Sequence, residues 1–279
     1  MDSVRYAIVD GAVVEDLLDF LSEYNPPHSC LYSEPLQPEL VKLAPYLLEV
    51  TADVENWLNS CTRPWGIYLT TKVTMRTLRQ HLRKFLQVLL PDETKPVIFR
   101  FYDPRNIWDF INVLSDWEKH LFLKNILKIE TTYQHGQELL LDELHGIYPP
   151  DSRKKQSSKL MVITKAQYLQ LEKVFERRYI EDLAGIMNSD AGAVERFSID
   201  WAGKLFSYLR ELGITDRRSI DEIAKLLSRD NIHHLSEIPT RYKAILEGTM
   251  SPGHYRTDLL LLDVYGEIPV WKRSGLSWG

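Results

Sequence analysis

The sequence predicts an α/β amino-terminal domain, built on a mixed and largely parallel sheet with flanking helices, followed by an all-α helical carboxyl-terminal domain. Three observations carry that expectation. Strand-like runs alternate with amphipathic helical stripes from residue 4 to residue 142, the pattern of an α/β layer arrangement. The segment 149–160, PPDSRKKQSSKL, has linker composition, two prolines followed by charged and small polar residues. Beyond it the periodicity is helical only. The expected domains are therefore 1–148, a linker at 149–160, and 161–279 with a carboxyl-terminal tail.

In chain order, 5–9 reads as a strand ending at Asp10-Gly11, and Val13, Val14, Leu17, Leu18 and Leu21 follow at helical spacing. Residues 25–40 are rich in proline and polar groups and read as a loop around a short strand at 30–32. The apolar run 46–50 is a further strand, and Thr51 is placed to cap a helix carrying Val54, Trp57 and Leu58. Another strand is expected at 65–70. Thr74 then caps a helix whose stripe is Met75, Leu78, Leu82, Phe85, Leu86 and Leu89, with Arg76, Arg79, Arg83 and Lys84 on its other side. That basic side reads as a solvated face; a phosphate backbone or acidic partner is the alternative.

The stretch 94–114 organises this half. Residues 97–102 are β-branched and aromatic behind a proline, which suits a strand buried on both faces. Asp103-Pro104 reads as a helix start, with Ile107, Phe110, Ile111 and Leu114 forming one apolar face. Arg100 disturbs the pattern, because alternation points a guanidinium where a core is expected and an unpaired buried charge costs on the order of several kcal/mol. Asp10 and Asp103 are its candidate partners. The cluster is either a strand-end ion pair or a site at the carboxyl end of a sheet, where ligands collect in α/β folds.

Ser115 to Glu118 is a capping box opening a short helix, and strands are expected at 126–132 and 138–141. In the second half Thr164 and Gln167 form a capping box for a long helix bearing Tyr168, Leu171, Val174, Phe175, Tyr179, Leu183 and Met187. A helix with Phe197, Trp201, Leu205 and Leu209 ends at Gly213; Ser219 opens a third, and Tyr242, Ile245 and Leu246 suggest a fourth. Residues 259–264 fit a strand or a helix end equally well, and 271–279 read as a tail.

Hydrophobic residues at 44% and charged residues at 26% of 279 suffice for a real core, while a net charge of −5 gives no global pull toward nucleic acid. Two cysteines, Cys30 and Cys61, provide neither a disulfide framework nor zinc-ligand spacing. The first residues lack the apolar core of a signal peptide and no apolar run is long enough to span a bilayer, so the expectation is a cytoplasmic protein without cofactor or metal. No Gly-rich phosphate loop, G-x-S-x-G elbow or H-E-x-x-H is present, and His233, His234 and His254 have no partners at ligand spacing. If the chain is a small-molecule enzyme, Asp10 and Asp103 are its best catalytic candidates.

The strings YAIVDGA, APYLLEV, WGIYLTT, LRQHLRKFLQV and above all VIFRFYDPR resemble the amino-terminal domain of the type VI secretion effector adaptor, or chaperone, family over about residues 4–132. MVITKAQYLQLEKVF is similar to the opening of that family's second part. The resemblance implies a non-catalytic bacterial protein that binds a secreted toxic effector and helps load it on the VgrG spike. It also marks Trp65, Gly66, Arg100, Phe101, Tyr102, Asp103, Pro104 and Arg105 as the matched motif positions, either scaffold or contact surface.

Overall fold

The computed structural model describes residues 2–32, 35–133, 136–140, 160–190 and 196–269. It divides into two compact units, Met1–Glu172 and Lys173–Gly279. The linker expected at 149–160 falls outside the described residues except for Leu160, and the tail at 271–279 falls outside them altogether.

Among its described residues the first unit has nine strands: β1 (Val4–Asp10), β2 (His28–Cys30), β3 (Pro45–Glu49), β4 (Gly66–Thr71), β5 (Gln87–Leu89), β6 (Val97–Ile98), β7 (Lys128–Thr131), β8 (Gln137–Leu140) and β9 (Met161–Val162). Its helices are α1 (Leu17–Tyr24), α2 (Pro38–Leu43), α3 (Ala52–Ser60), α4 (Met75–Leu82), α5 (Ile107–Val113) and α6 (Asp116–Leu123), with α7 (Lys165–Asp190) starting here. Six strands form one sheet in the order β2-β3-β1-β4-β7-β8. Every neighbouring pair in it is antiparallel. The expectation of a largely parallel sheet is thus corrected; among the described residues parallel pairing occurs only between β5 and β9, in a small sheet ordered β6-β5-β9.

The physical reason lies in where β1 sits. Strands β3 and β4 are joined through α3 and run parallel to each other, as the alternating pattern suggests, but β1 lies between them and opposes both. Hydrophobic pattern reports what a strand buries, not which strand it pairs with. Both faces of the central strands are covered, which makes antiparallel strands read as continuous apolar runs. On one face Tyr6, Ile8, Leu47, Ile67 and Leu69 join the cluster that includes Leu78, Leu82, Phe110 and Phe122. On the other, Ala7, Val9, Leu48 and Tyr68 pack with Leu17, Phe20, Val54 and Leu58.

Local signals set several boundaries. Thr51 Oγ1 accepts the Val54 N–H at 3.3 Å, and Ser115 and Glu118 close their capping box at the start of α6. The stripe after Thr74 does not stay helical to Leu89. Helix α4 ends at Leu82, a 3₁₀ turn covers Arg83–Phe85, and β5 follows with Val88 buried. The strand expected at 97–102 shrinks to Val97–Ile98, with Ile98 62% exposed. Phe99 N–H still bonds Leu86 O at 2.8 Å, but Asp103 N–H then donates to Arg100 O at 3.1 Å and the chain turns. Phe101 and Tyr102 are buried by that turn rather than by a strand.

The second unit is helical, formed by the later turns of α7 with α8 (Ile199–Glu211), α9 (Arg217–Arg229), α10 (Thr240–Leu246) and α11 (Gly253–Tyr265) around Leu183, Met187, Leu205, Leu209, Ile223 and Leu260. Asp216, not Ser219, caps α9, its Oδ1 accepting the Ser219 N–H at 2.9 Å. Residues 259–264, open in the sequence, lie inside α11, which ends at Gly266 with φ +76°. That helix can pack because Gly253 has no Cβ; an added one would sit 2.4 Å from Gly213 O.

His81 is buried on α4, its Nε2–H donating to Phe122 O at 2.7 Å, with its ring edge-on to Phe85. Burial depresses its pKa, and the charges of Lys84 and Lys124 push the same way, against the hydrogen bond to Phe122. A folded pKa below the unfolded value means the unfolded chain takes up the proton first, so stability is full above about pH 6.5 and is lost as pH falls toward the folded value. Urea midpoints at pH 7.5 and pH 5.5 should show this loss in the wild type, and His81→Gln should reduce it; equal pH dependence in both proteins would refute the assignment.

Candidate functional site

The motif residues converge on the carboxyl end of β1. Asp10 closes that strand and is 2% exposed. Its N–H donates to Trp65 O at 2.8 Å, its carbonyl accepts from Val13 and Val14, and its Oδ1 accepts the Ala12 N–H at 3.0 Å. Gly66, opposite Val9, has φ +151°, and an added Cβ would lie 1.8 Å from Ile8 O. Only glycine lets β4 start this close to β1. Trp65 is buried beside it, edge-on to Tyr68 with centroids 4.9 Å apart.

Arg100 reaches this point from the turn between β6 and α5. Its Nη2 pairs with Asp10 Oδ2, and its Nε is buried without a hydrogen-bond partner among the described residues. Asp103 takes Arg105 instead. Arg105 donates from Nε to Oδ1 at 2.9 Å, from Nη2 to Oδ2 at 2.6 Å and from its backbone N–H to Oδ1 at 2.9 Å. This is a fork of two parallel bonds added to a turn that the same carboxylate closes. Asp103 therefore organises the turn ahead of α5 rather than capping the helix, whose N-cap is Asn106. Its carbonyl accepts from Asn106 and Ile107, both at 3.0 Å, and Pro104 is buried between.

Burial pushes the Asp10 carboxyl up, opposed by Arg100 and by the Ala12 N–H, while the neighbouring Asp103 charge adds to the rise. For Arg105 burial works against the charge, and the bonds to Asp103 outweigh it, so its pKa is raised. Tyr102 is hydrogen-bonded to Tyr32, and desolvation drives its hydroxyl far above the ordinary tyrosine value. The result is an alternating cluster, Asp10 with Arg100 and Asp103 with Arg105, roofed by two tyrosines.

Of the eight motif positions the structure gathers Trp65, Gly66, Arg100, Tyr102, Asp103, Pro104 and Arg105 around Asp10. Phe101 points elsewhere, stacking edge-on against Phe122 in the core. Tyr32 was not singled out in the sequence, since a tyrosine in a proline-rich loop carries no signal of its own. Arg79 was read as part of a solvated face, yet it donates from Nε to Cys30 O at 2.6 Å and from Nη2 to Tyr32 O at 3.2 Å. It thereby pins the end of β2 and the loop that presents Tyr32. His233 and His234 serve a turn, their backbone N–H groups both donating to Glu237 Oε2. Among the described residues no three His, Cys, Asp or Glu side chains are placed to hold a metal ion.

A family model described as a domain of unknown function (DUF4123) matches residues 5–121, somewhat under half of the 279-residue chain. The matched span runs from β1 into α6 and includes Asp10, Trp65, Gly66 and the whole 100–105 turn. No curated protein and no solved structure matches the chain. Among the described residues no helix is long and apolar enough to cross a membrane.

Because Asp10 and Arg100 are both largely buried, removing one strands the other. Asp10→Ala and Arg100→Ala should each cost about 3 kcal/mol of unfolding free energy, whereas Asp10→Leu with Arg100→Met should recover most of that loss. Chemical denaturation of the three variants checks it, and additive losses would contradict the pairing.

Proposed function

We propose that the chain is a non-catalytic adaptor of the type VI secretion system, which binds a secreted effector and helps load it on the VgrG spike in the bacterial cytoplasm. The observation that carries this reading is the family-model match at 5–121, which falls on the stretch whose motifs resemble the adaptor family. The geometry adds support. Asp10 and Asp103, the carboxylates an enzyme would use, are each held by an arginine and a backbone N–H. On this reading Trp65, Gly66, Arg100, Phe101, Tyr102, Asp103, Pro104 and Arg105 form the scaffold, and the outer surfaces recognise the partners. Residues 1–148 act as the adaptor domain, 149–160 as the linker and 161–279 as the helical domain, whose first strand, β9, pairs back with β5 of the adaptor domain. Affinity arises from ordinary interface burial, on the order of 1,600 Å² in total for a standard complex. The basic face of α4 is a poor nucleic-acid surface, since Arg79 is committed to carbonyls of its own chain.

Size-exclusion chromatography of the purified protein mixed with the effector encoded nearby should give one co-eluting complex, and with effector bound the spike should join it. Association with neither would sink the proposal. Arg105→Lys, which loses the two-bond fork but keeps the charge, should lower the denaturation midpoint while leaving effector affinity within about threefold; a large selective loss of binding would instead put the motif in the interface.

A further inference from the structure

The strongest unexplained feature of the first unit is a groove of about 690 Å³ whose walls include Lys84, Phe85, Trp117 and Lys124 on one side and Met161 and Val162 on the other. Two properties make it a site rather than a crease. The first is backbone geometry. Strand β9 is the outer strand of its sheet, paired only with β5 among the described residues. Ile163 N–H donates inward to Leu89 O at 2.9 Å, so by alternation the N–H and C=O of Val162 face away from β5. Val162 is also 46% exposed, a β-branched residue on an apolar, outward edge. Natural edges of this kind are usually covered or used, because an outward row of N–H and C=O groups is a template for another strand.

The second property is charge. Lys84 and Lys124 are exposed and form no ion pair among the described residues. Glu118, the one carboxylate among the described lining residues, keeps its charge but directs its Oε2 to the Ser115 N–H and hydroxyl and to Gln167 Nε2 at 2.7 Å rather than to either lysine. The described lining thus carries two ammonium groups without an ion-pair partner against one carboxylate, beside the aromatic rings of Phe85 and Trp117. We propose that this groove docks an extended acidic segment of a partner protein, which adds as a strand to the outer edge of β9 and sets its carboxylates against Lys84 and Lys124. Main-chain bonds to Val162 supply sequence-independent affinity, and the two lysines select for acidic side chains. The proposal does not rest on the adaptor reading; either can fail without the other.

The test uses the full chain and a fluorescein-labelled peptide alternating glutamate and valine, followed by anisotropy. Three comparison probes are the same peptide N-methylated on alternate residues, a lysine–valine peptide, and a single-stranded oligonucleotide. The glutamate–valine peptide should bind, the lysine–valine peptide should not, and the N-methylated peptide should bind at least about tenfold more weakly because its main chain cannot pair. Lys84→Glu with Lys124→Glu should also weaken binding at least about tenfold, and amide exchange at Val162 should slow in the complex. Binding of neither peptide would mean that the lysines only guard the edge against other chains. Equal binding of the N-methylated peptide would remove β9 from the site, and tighter binding of the oligonucleotide would assign the groove to nucleic acid. Each of those three results overturns the proposal.

Discussion

A guanidinium buried at the end of a strand constrains everything around it. Arg100 comes from a turn ninety residues after Asp10, and the pair holds that turn against the mouth of the six-stranded sheet. Desolvating two such groups is costly, and the geometry offsets it because the remaining carboxylate oxygens around the pair are also bonded. Asp10 has a backbone N–H on its other oxygen, and Asp103 and Arg105 neutralise each other one turn further on. Tyr102 and Tyr32 close the cluster from above, and Arg79 in turn fixes the carbonyl of Tyr32. Apart from Arg100 Nε, which is buried without a partner among the described residues, each polar group is held by the next.

That chain of dependence explains why a stretch without regular structure can be central to a fold. Residues 99–106 contain almost no strand or helix, yet Phe101, Tyr102 and Asp103 are nearly inaccessible. Apolar side chains on the turn fill the core under α5 and α6, while the charged ones reach the sheet end. The turn joins the two chemistries, and neither works if the backbone takes an extended path.

Much of this was legible in the sequence. The strands at β1, β3, β4, β7 and β8, the caps at Thr51, Thr74, Ser115 and Thr164, and the need of Arg100 for a carboxylate all follow from local pattern and the cost of burying charge. What the pattern could not convey is pairing. Continuous apolar runs in β1, β3 and β4 arise because both sheet faces are covered, and that burial is the same whether neighbours run parallel or antiparallel. The choice between Asp10 and Asp103 as partner of Arg100 was similarly open, since it depends on Asp103 being captured first by Arg105 two residues away. Residues such as Tyr32 and Arg79 acquire their roles only from distant neighbours, so no window of sequence around them carries a signal.

The place of β1 between β3 and β4 also bears on how the chain emerges from the ribosome. β1 is made before both of the strands that flank it, so its two edges stay unpaired until Glu49 and then Thr71 have been synthesised. Vectorial synthesis therefore cannot complete the sheet strand by strand; β1 waits as an apolar ribbon for partners some forty and sixty residues later, and closure is a long-range event of the kind that slows folding.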